Sequence, residues 1–259
     1  MSERRVSSYA AALLFLALGA SAGAQEGQAV AEDRVEPVRL IDSPTAGLVG
    51  KGHFGVDLRF FPQGGVMGLL NAGVLDRLSI GLSFGGEQII GDQDVDWYPR
   101  VEPAIRYRVI EESQALPALV LGYETQGYGA YREGRYQIKS KGVFLAASKN
   151  YTGPLGQFGI HTGLNLSRED SDKDSDLSGW VGLDKSINAD LGLVAEYDLA
   201  TNDNNRSALG SGDGYLNVGA HWAVVPNLSL SLLLKNMLGN GDDGSEMSRE
   251  LAVRYSEEF

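Results

Sequence analysis

Three histidines are the residues of this sequence best suited to acid–base or nucleophilic chemistry. His53, His161 and His221 lie in separate segments, and the sequence places neither a serine nor a carboxylate reliably beside any of them. Nucleophilic catalysis requires a base within reach of the nucleophile and a group that orients the base. We therefore predict no catalytic residues and no enzymatic activity. The chain also contains no cysteine, which excludes disulfide bonds, thiolate metal ligands and a lipid-modified N-terminal cysteine.

A run of alternating aspartates is the second feature that could bind a ligand. Asp170, Asp172, Asp174 and Asp176 offer the carboxylate oxygens that calcium prefers. The run lacks the turn glycine and the distal glutamate of an EF-hand loop in register, so we interpret it as a solvated acidic loop, with a weak surface cation site as the alternative. The GSGDG run that begins at Gly210 is not followed by a predicted helix, as a phosphate-binding loop requires. We therefore predict no metal site and no cofactor.

These residues are set in segments whose apolar and polar side chains alternate. In GHFGVDLRFF, apolar side chains at positions 54, 56, 58 and 60 alternate with polar residues and a glycine at positions 53, 55, 57 and 59. The same period recurs in LDRLSIGLSF and QFGIHTGLNLS. A period of two is typical of a β-strand with one apolar and one polar face. We predict an all-β fold over residues 51–259, a transmembrane antiparallel up-and-down β-barrel of about twelve strands, an even number as in bacterial barrels. The predicted strands begin near residues 52, 66, 77, 100, 116, 141, 156, 177, 189, 214, 227 and 248.

The connections between these strands alternate between short and long. Short connections lie near residues 76–77, 111–115, 151–155, 186–188 and 225–227, long polar loops such as ATNDNNRSALGSGDG separate the other pairs, and only the early PQGG breaks the rule. Short periplasmic turns and long outer loops produce this order when both termini lie in the periplasm. The order therefore favours a membrane barrel over a soluble one.

The N-terminus carries the features of an export signal. Arg4 and Arg5 precede an apolar run that ends in the A-x-A pattern of residues 22–24. The apolar run is shorter than the roughly 20 residues that a spanning helix needs, so residues 1–24 are predicted to be a cleavable signal peptide. Residues 25–50 begin polar, acidic and without a period, and we predict a periplasmic lead-in there.

A barrel with its apolar faces outward collects charged side chains in its lumen. The first and last strands must be neighbours in a closed barrel, which predicts that Asp57 and Arg59 lie close to Glu250 and Arg254. Buried charges persist only when they are paired or hydrated, so we interpret the set as a structural ion-pair network, with a conducting path as the alternative. About twelve strands lie between the roughly eight that leave a filled interior and the roughly 16 that leave an aqueous channel. The predicted lumen-lining residues are Asp57, Arg59, Glu102, Arg106, Arg108, Lys149, Asp184, Glu196, Asp198, Lys235, Glu250 and Arg254.

Aromatic residues near the predicted strand ends are typical of the two interfacial girdles of a membrane barrel. The last strand alternates Leu251, Val253 and Tyr255 and ends on Phe259, which resembles the recognition signal of outer-membrane barrels. It predicts contact with the barrel-assembly machinery through Phe259. The predicted girdle residues are Phe60, Tyr107, Tyr123, Tyr197, Trp222, Tyr255 and Phe259.

Three segments resemble the YjbH-like outer-membrane proteins, which are found with exopolysaccharide production genes. The segments are IDSPTAGLVGKGHFGVDLRFF, PALVLGYETQGYG and YQIKSKGVFLAASKNY, and together they span roughly residues 40–151. The resemblance implies an outer-membrane barrel that assists the assembly or export of surface polysaccharide, and it implies no catalytic residues. Family members are often longer, with further material after the first barrel.

The function predicted from these features is a non-enzymatic, porin-like outer-membrane barrel that contributes to exopolysaccharide secretion or envelope permeability. A structural or adhesive barrel with a blocked lumen is the first alternative, an outer-membrane lipid-modifying enzyme is the second, and a soluble secreted ligand-binding barrel is the last. The predicted partners are outer-membrane lipid, the barrel-assembly machinery and a polysaccharide. A net charge of -12 argues against nucleic acid, because that partner requires a basic surface.

Overall fold

The computed structural model describes residues 37–154, 156–205, 208–210, 213–240 and 247–259. The predicted signal peptide and residues 25–36 of the predicted lead-in lie outside the described residues. Within the described ranges, no helix is both long and apolar enough to cross a membrane.

The regular secondary structure of the described residues consists of β-strands. The strands are β1 (His53–Phe61), β2 (Gly65–Leu75), β3 (Leu78–Glu87), β4 (Asp96–Trp97), β5 (Glu102–Ile110), β6 (Ala118–Glu124), β7 (Tyr128–Arg132), β8 (Arg135–Ile138), β9 (Gly142–Gly153), β10 (Gly156–Leu166), β11 (Ser178–Ser186), β12 (Leu191–Asp198), β13 (Tyr215–Val225), β14 (Leu228–Lys235) and β15 (Ser248–Glu258).

Twelve of these strands pair antiparallel with their neighbours along the chain and close into a ring, because β1 pairs with both β2 and β15. The short strands β4, β7 and β8 belong to the connections between ring strands. Every predicted strand start lies within about two residues of an observed one, since the alternation of polar and apolar side chains marks each strand locally. The predicted all-β, twelve-stranded, antiparallel up-and-down barrel is confirmed.

The connections are sorted by length between the two ends of the barrel, as predicted. At one end, which we call the turn end, short connections join β2 to β3, β5 to β6, β9 to β10, β11 to β12 and β13 to β14. At the other end, the loop end, the connections are long except for residues 62–64 between β1 and β2. His53 and Glu258, at the outer limits of the ring, pair with each other at the turn end.

The outer face of the ring is apolar. Exposed apolar side chains alternate with buried inward-facing ones, as in β3, where Ile80 and Leu82 point outward and Ser79 and Ser83 inward. Such an apolar exterior is stable against lipid hydrocarbon and unfavourable in water. Other large apolar side chains on this surface are Leu58, Leu70, Leu121, Leu145, Leu164, Leu183, Leu193, Leu232 and Leu251.

Residues 37–48, which we call the lumen segment, lie inside the barrel. Their hydrogen-bond partners belong to β1, β5, β9, β11, β12 and β14, and only a position within the ring reaches all of these strands. Leu40 and Ile41 pack on Val194 and Leu233 of the inner wall. The sequence predicts a periplasmic lead-in over residues 25–50, whereas the structure buries residues 37–48 inside the barrel. The apolar residues of this stretch follow neither a strand nor a helix period, so no sequence signal marked their burial.

The β7–β8 hairpin covers the lumen at the loop end. Tyr128 and Tyr136 pack against the inward-facing side chains of Phe61, Met67 and Leu69. The hairpin lies in the connection between β6 and β9, so this connection folds over the barrel opening. The barrel is therefore filled by the lumen segment and covered at the loop end by the hairpin.

Candidate functional site

Glu196 of β12 holds the main chain of the lumen segment. Its carboxylate accepts hydrogen bonds from the backbone nitrogens of Ile41 (3.0 Å), Asp42 (2.9 Å) and Ser43 (3.0 Å). The side-chain amide of Asn217 donates a fourth hydrogen bond at 2.8 Å. Successive amides that converge on one anion form a nest, and the buried carboxylate is tolerated because these donors replace water. Glu196 thus recognises the segment by its backbone rather than by its side chains.

Asp42 projects from the lumen segment into a cationic site on the wall. Its Oδ1 accepts a hydrogen bond from Arg59 Nη2 at 2.8 Å, and its Oδ2 lies 2.8 Å from Lys235 Nζ. Arg59 and Lys235 also share the carboxylate of Glu250, at 2.5 Å and 3.4 Å. Both cations lie over the ring of Tyr128, at 4.5 Å and 5.0 Å from its centroid. We call Arg59, Lys235 and Glu250 the Asp42 seat.

Three further wall side chains donate hydrogen bonds to carbonyl oxygens of the lumen segment. Two of the donors come from β5 and the third from β11, and their acceptors lie on both sides of Asp42, so the segment is held along its length. The donor and acceptor residues are Arg106 to Val38 at 2.5 Å, Arg108 to Ala46 at 2.7 Å and Trp180 to Pro44 at 3.0 Å.

A serine, a histidine and an aspartate form a continuous hydrogen-bonded chain on the inner wall. Ser148 Oγ lies 2.7 Å from His161 Nδ1, and His161 Nε2 lies 2.7 Å from Asp184 Oδ1. Ala46 of the lumen segment donates its backbone N–H to Ser148 Oγ at 2.8 Å. All three wall side chains are buried, so the chain of bonds joins β9, β10 and β11 to the segment.

The sequence placed no serine or carboxylate reliably beside a histidine, whereas the structure places Ser148 and Asp184 beside His161. His221 also has a serine partner, since its Nδ1 lies 2.6 Å from Ser231 Oγ. The antiparallel register places His161 opposite Ser148 on the neighbouring strand, and Gly159 opposite Asp184 on the other side. The three side chains meet only through this cross-strand pairing. Sequence spacing alone carries no signal for it.

All of the predicted lumen residues except Lys149 lie on the inner face of the ring. Arg254 binds Asp57 at 2.5 Å and Arg59 binds Glu250, which is the contact predicted between the first and last strands. The inner-face residues are Asp57, Arg59, Glu102, Arg106, Arg108, Asp184, Glu196, Asp198, Lys235, Glu250 and Arg254.

Lys149 lies on the outer face of β9, in phase with Val143 and Leu145, which corrects its assignment to the lumen. Its ammonium group reaches back to the carbonyl oxygens of Ser113 and Gln114 at the turn end. A lysine can lie along an apolar surface while its charged end stays among polar groups. A charge in an alternating strand near a membrane edge is therefore not evidence of a lumenal position.

The predicted girdle residues lie on the outer surface in two bands. One band lies near the loop end and the other near the turn end, as expected for the two interfaces of a bilayer. Phe259 is 75% exposed at the turn end. The loop-end band contains Phe60, Tyr123 and Tyr197, and the turn-end band contains Tyr107, Trp222, Tyr255 and Phe259.

Cations from β8 bind the acidic loop that follows β10. Arg135 Nη1 lies 2.5 Å from Asp172 Oδ2 and 2.7 Å from Asp203 Oδ1. Lys139, just after β8, donates to Asp172 Oδ1 at 2.8 Å and to the backbone carbonyl of Asp174 at 2.7 Å. These contacts tie three loops together over the barrel opening.

The interpretation of the aspartate run as a solvated loop is wrong for two of its four members. Asp172 and Asp174 are buried, whereas Asp170 and Asp176 are exposed. The two cations described above, on β8 and just after it, supply the positive charge beside Asp172. Which carboxylates become buried depends on where the hairpin packs, and the loop sequence does not show it.

Glu169 lies in the same loop and is buried beneath the hairpin. The backbone nitrogen of Tyr136 donates to its Oε2 at 3.3 Å. Burial raises the pKa of Glu169 to about 7, although the hydrogen bond from Tyr136 partly opposes the rise. This carboxyl group therefore changes charge near neutral pH.

Asp42 and Trp180 are site residues that no sequence pattern predicted. Asp42 stands in an aperiodic stretch, and no neighbouring residue marks it. Trp180 occupies an inward position of β11. Its place in the alternation of inward and outward side chains was the one sequence signal for an aromatic side chain in the lumen.

No protein-family model and no curated protein matches the chain. Among solved structures, the chain is similar to the KdgM porin (8% identity, TM-score 0.49, covering 78% of this chain and 98% of that one). It is also similar to the NanC porin (10%, 0.42, 80% and 99%) and to the COG4313 outer membrane channel from Pseudomonas putida F1 (14%, 0.43, 90% and 100%). The barrel assignment rests on this chain's own strand pairing, and membership of the YjbH-like family stays a prediction.

Proposed function

We propose that the chain is a non-enzymatic outer-membrane barrel that provides a solute pathway, closed by its own lumen segment. The single observation that carries the proposal is the set of charged wall groups, above all Glu196 and the Asp42 seat, that hold the segment. Buried ion pairs stabilise a filled interior less than apolar packing does. The same groups are well suited to line a hydrated lumen once the segment leaves.

The outer surface supports the membrane location. The exposed apolar side chains and the two aromatic bands match the hydrocarbon and interfacial layers of a bilayer. A closed ring leaves no unpaired strand edge in lipid. Together with the predicted signal peptide, these features favour the Gram-negative outer membrane, with the turn end in the periplasm and Phe259 as the contact of the barrel-assembly machinery.

A disulfide between the lumen segment and the wall tests the pathway directly. The amide of Ala46 lies 2.8 Å from the Ser148 hydroxyl, so cysteines at these two positions are close enough for the geometry of a disulfide. The chain has no other cysteine to compete. We expect the reduced A46C/S148C protein to open under voltage in planar bilayers, and the oxidised protein to show no openings.

The two single-cysteine variants are the matched controls, and both should conduct under oxidising and reducing conditions. The proposal is contradicted if the wild-type, reduced and single-cysteine proteins never conduct. It is also contradicted if the oxidised double variant conducts as the reduced one does.

A structural or adhesive barrel is the second candidate function. The lumen segment and the β7–β8 hairpin together fill and cover the barrel, as a permanently blocked lumen requires. Such a barrel would work through its loops and outer surface. Absence of conductance in every variant above, combined with intact folding, favours this candidate.

Polysaccharide is the solute class that the resemblance to YjbH-like proteins implies. Deletion of the gene should then reduce the amount of surface polysaccharide, and complementation with the oxidised-state A46C/S148C protein should not restore it. Unchanged surface polysaccharide together with reduced solute uptake would instead favour a general permeability role.

A further inference from the structure

The part of the lumen that surrounds Asp42 combines two kinds of recognition within the length of one residue. The Asp42 carboxylate lies between Arg59 and Lys235, while its own backbone N–H and those of Ile41 and Ser43 point at Glu196. A cationic seat for a carboxylate therefore adjoins an anionic acceptor for N–H or O–H donors. Both lie on the wall, so they remain when the lumen segment leaves.

We propose that this two-part site binds a small carboxylate-bearing solute with N–H or O–H donors next to its carboxylate, and that the lumen segment occupies the site as an internal competitor. The inference rests on the proposed function, because the site becomes free only when the segment leaves the lumen.

The geometry of the wall sets the orientation of such a solute. Arg59 and Lys235 share a single wall carboxylate, Glu250, once Asp42 is gone, so both retain donors for a second anion. Glu196 retains Asn217 but loses three N–H donors. A carboxylate placed on Glu196 is repelled, whereas one placed between the two cations is attracted.

Aromatic side chains complete the site. Tyr128 lies beneath both cations of the seat, and Trp180 offers an indole N–H that now binds the carbonyl of Pro44. Such a mixture of aromatic surface and a few converging polar groups is typical of small-ligand sites.

The test uses the full-length chain and a matched pair of probes that differ only in charge. The probes are N-acetyl-L-aspartate α-methylamide, which carries one carboxylate, and N-acetyl-L-asparagine methylamide, which carries none. The variant D42G vacates the seat. In detergent, with the aspartyl probe at about five times its Kd, we expect the heat-unfolding midpoint of D42G to rise by about 2–4 °C. The asparaginyl probe should leave it unchanged.

The double variant D42G/R59Q should lose the response to the aspartyl probe. Should D42G fail to fold, hydrogen exchange in the wild-type chain decides the matter, since a probe that takes the site displaces the segment. The aspartyl probe should then speed exchange of the amides at positions 41–43, and the asparaginyl probe should not.

Equal responses to both probes, no response to either, or an undiminished response in D42G/R59Q would overturn the proposal. These readouts need no ion current. A carboxylate-binding site in a barrel that never conducts would contradict the proposed function alone, and a conducting barrel without carboxylate preference would contradict this inference alone.

Discussion

The Glu196 carboxylate lies 2.9 Å from the backbone nitrogen of Asp42, while the side chain of Asp42 binds cations on another part of the wall. One residue of the lumen segment is thus held on two sides, by its main chain and by its side chain. The two attachments can therefore be weakened separately.

Replacing Glu196 with Gln should loosen the lumen segment while leaving the barrel intact. The change removes a charged acceptor of three backbone amides, and hydrogen bonds to charged groups contribute about 1.5–3 kcal/mol each. We expect the amides at positions 41–43 to exchange about 10- to 100-fold faster by hydrogen-exchange mass spectrometry. Glu257→Gln, at an exposed position of β15, should not change their exchange. Equal exchange in both variants would show that Glu196 does not hold the segment.

Replacing Asp172 with Asn should release the hairpin that covers the loop end. Arg135 and Lys139 both bind this carboxylate, and breaking a buried ion pair by removing one partner costs about 3–5 kcal/mol. We expect faster proteolysis between β7 and β8 in detergent, with an unchanged heat-modifiable barrel. Asp176→Asn, in the exposed part of the same loop, is the matched control and should behave as wild type. Equal proteolysis of the two variants would contradict this role for Asp172.

The stability of the loop that follows β10 should depend on pH, because Glu169 of this loop is buried beneath the β7–β8 hairpin. Its folded-state pKa of about 7 lies above the ordinary value of 4.5, so the folded loop favours the protonated form. The stabilisation of the folded loop by protonated Glu169 is complete below about pH 4.5. It is lost as the pH rises through about 7, and the loss is about 3 kcal/mol.

Proteolysis of the loop at pH 5, 6, 7 and 8 measures this dependence. We expect faster cleavage with rising pH in the wild type, after correction with an unstructured peptide, and a flat profile in Glu169→Gln. Asp170→Asn, at the exposed neighbouring position, should keep the wild-type slope. A slope that survives in Glu169→Gln would assign the dependence to another group.

The hydrogen-bonded chain of Ser148, His161 and Asp184 should contribute to stability and not to catalysis. His161→Gln removes the group between a buried hydroxyl and a buried carboxylate, at a cost of about 1–3 kcal/mol. The heat-unfolding midpoint should fall by about 2–10 °C, while His53→Gln, at an exposed position, should have no effect.

A fluorophosphonate that reacts with activated serines distinguishes a structural role of Ser148 from a catalytic one. We expect no labelling of the wild-type chain, in detergent or in lipid, because Ser148 is buried and accepts a hydrogen bond from Ala46. Labelling that disappears in Ser148→Ala would instead support the lipid-modifying alternative.

The alternating side chains of β1 and β3 predicted strands, and the sorting of turns and loops predicted the ring and its two ends. These features are local, because each strand must present one face to an apolar and one to a polar environment whatever its neighbours are. The pairing of Asp57 with Arg254 also followed, since closure of the ring makes the first and last strands neighbours.

No local feature of the sequence predicted that the lumen segment occupies the lumen. The lumen segment has no period of its own, and its contacts are with residues far along the chain, such as Glu196 and Lys235. The inward charges were therefore predicted as pairs with one another, whereas several of them bind the segment.

The amino-acid sequence by itself determined the strands, their number and which face of nearly every strand is apolar, because a period of two is written residue by residue. Only the tertiary structure decided that residues 37–48 fill the barrel, that Lys149 turns outward and that Ser148, His161 and Asp184 meet. Those outcomes depend on cross-strand register and on which chain segment best satisfies the buried charges, and both are properties of the closed ring as a whole.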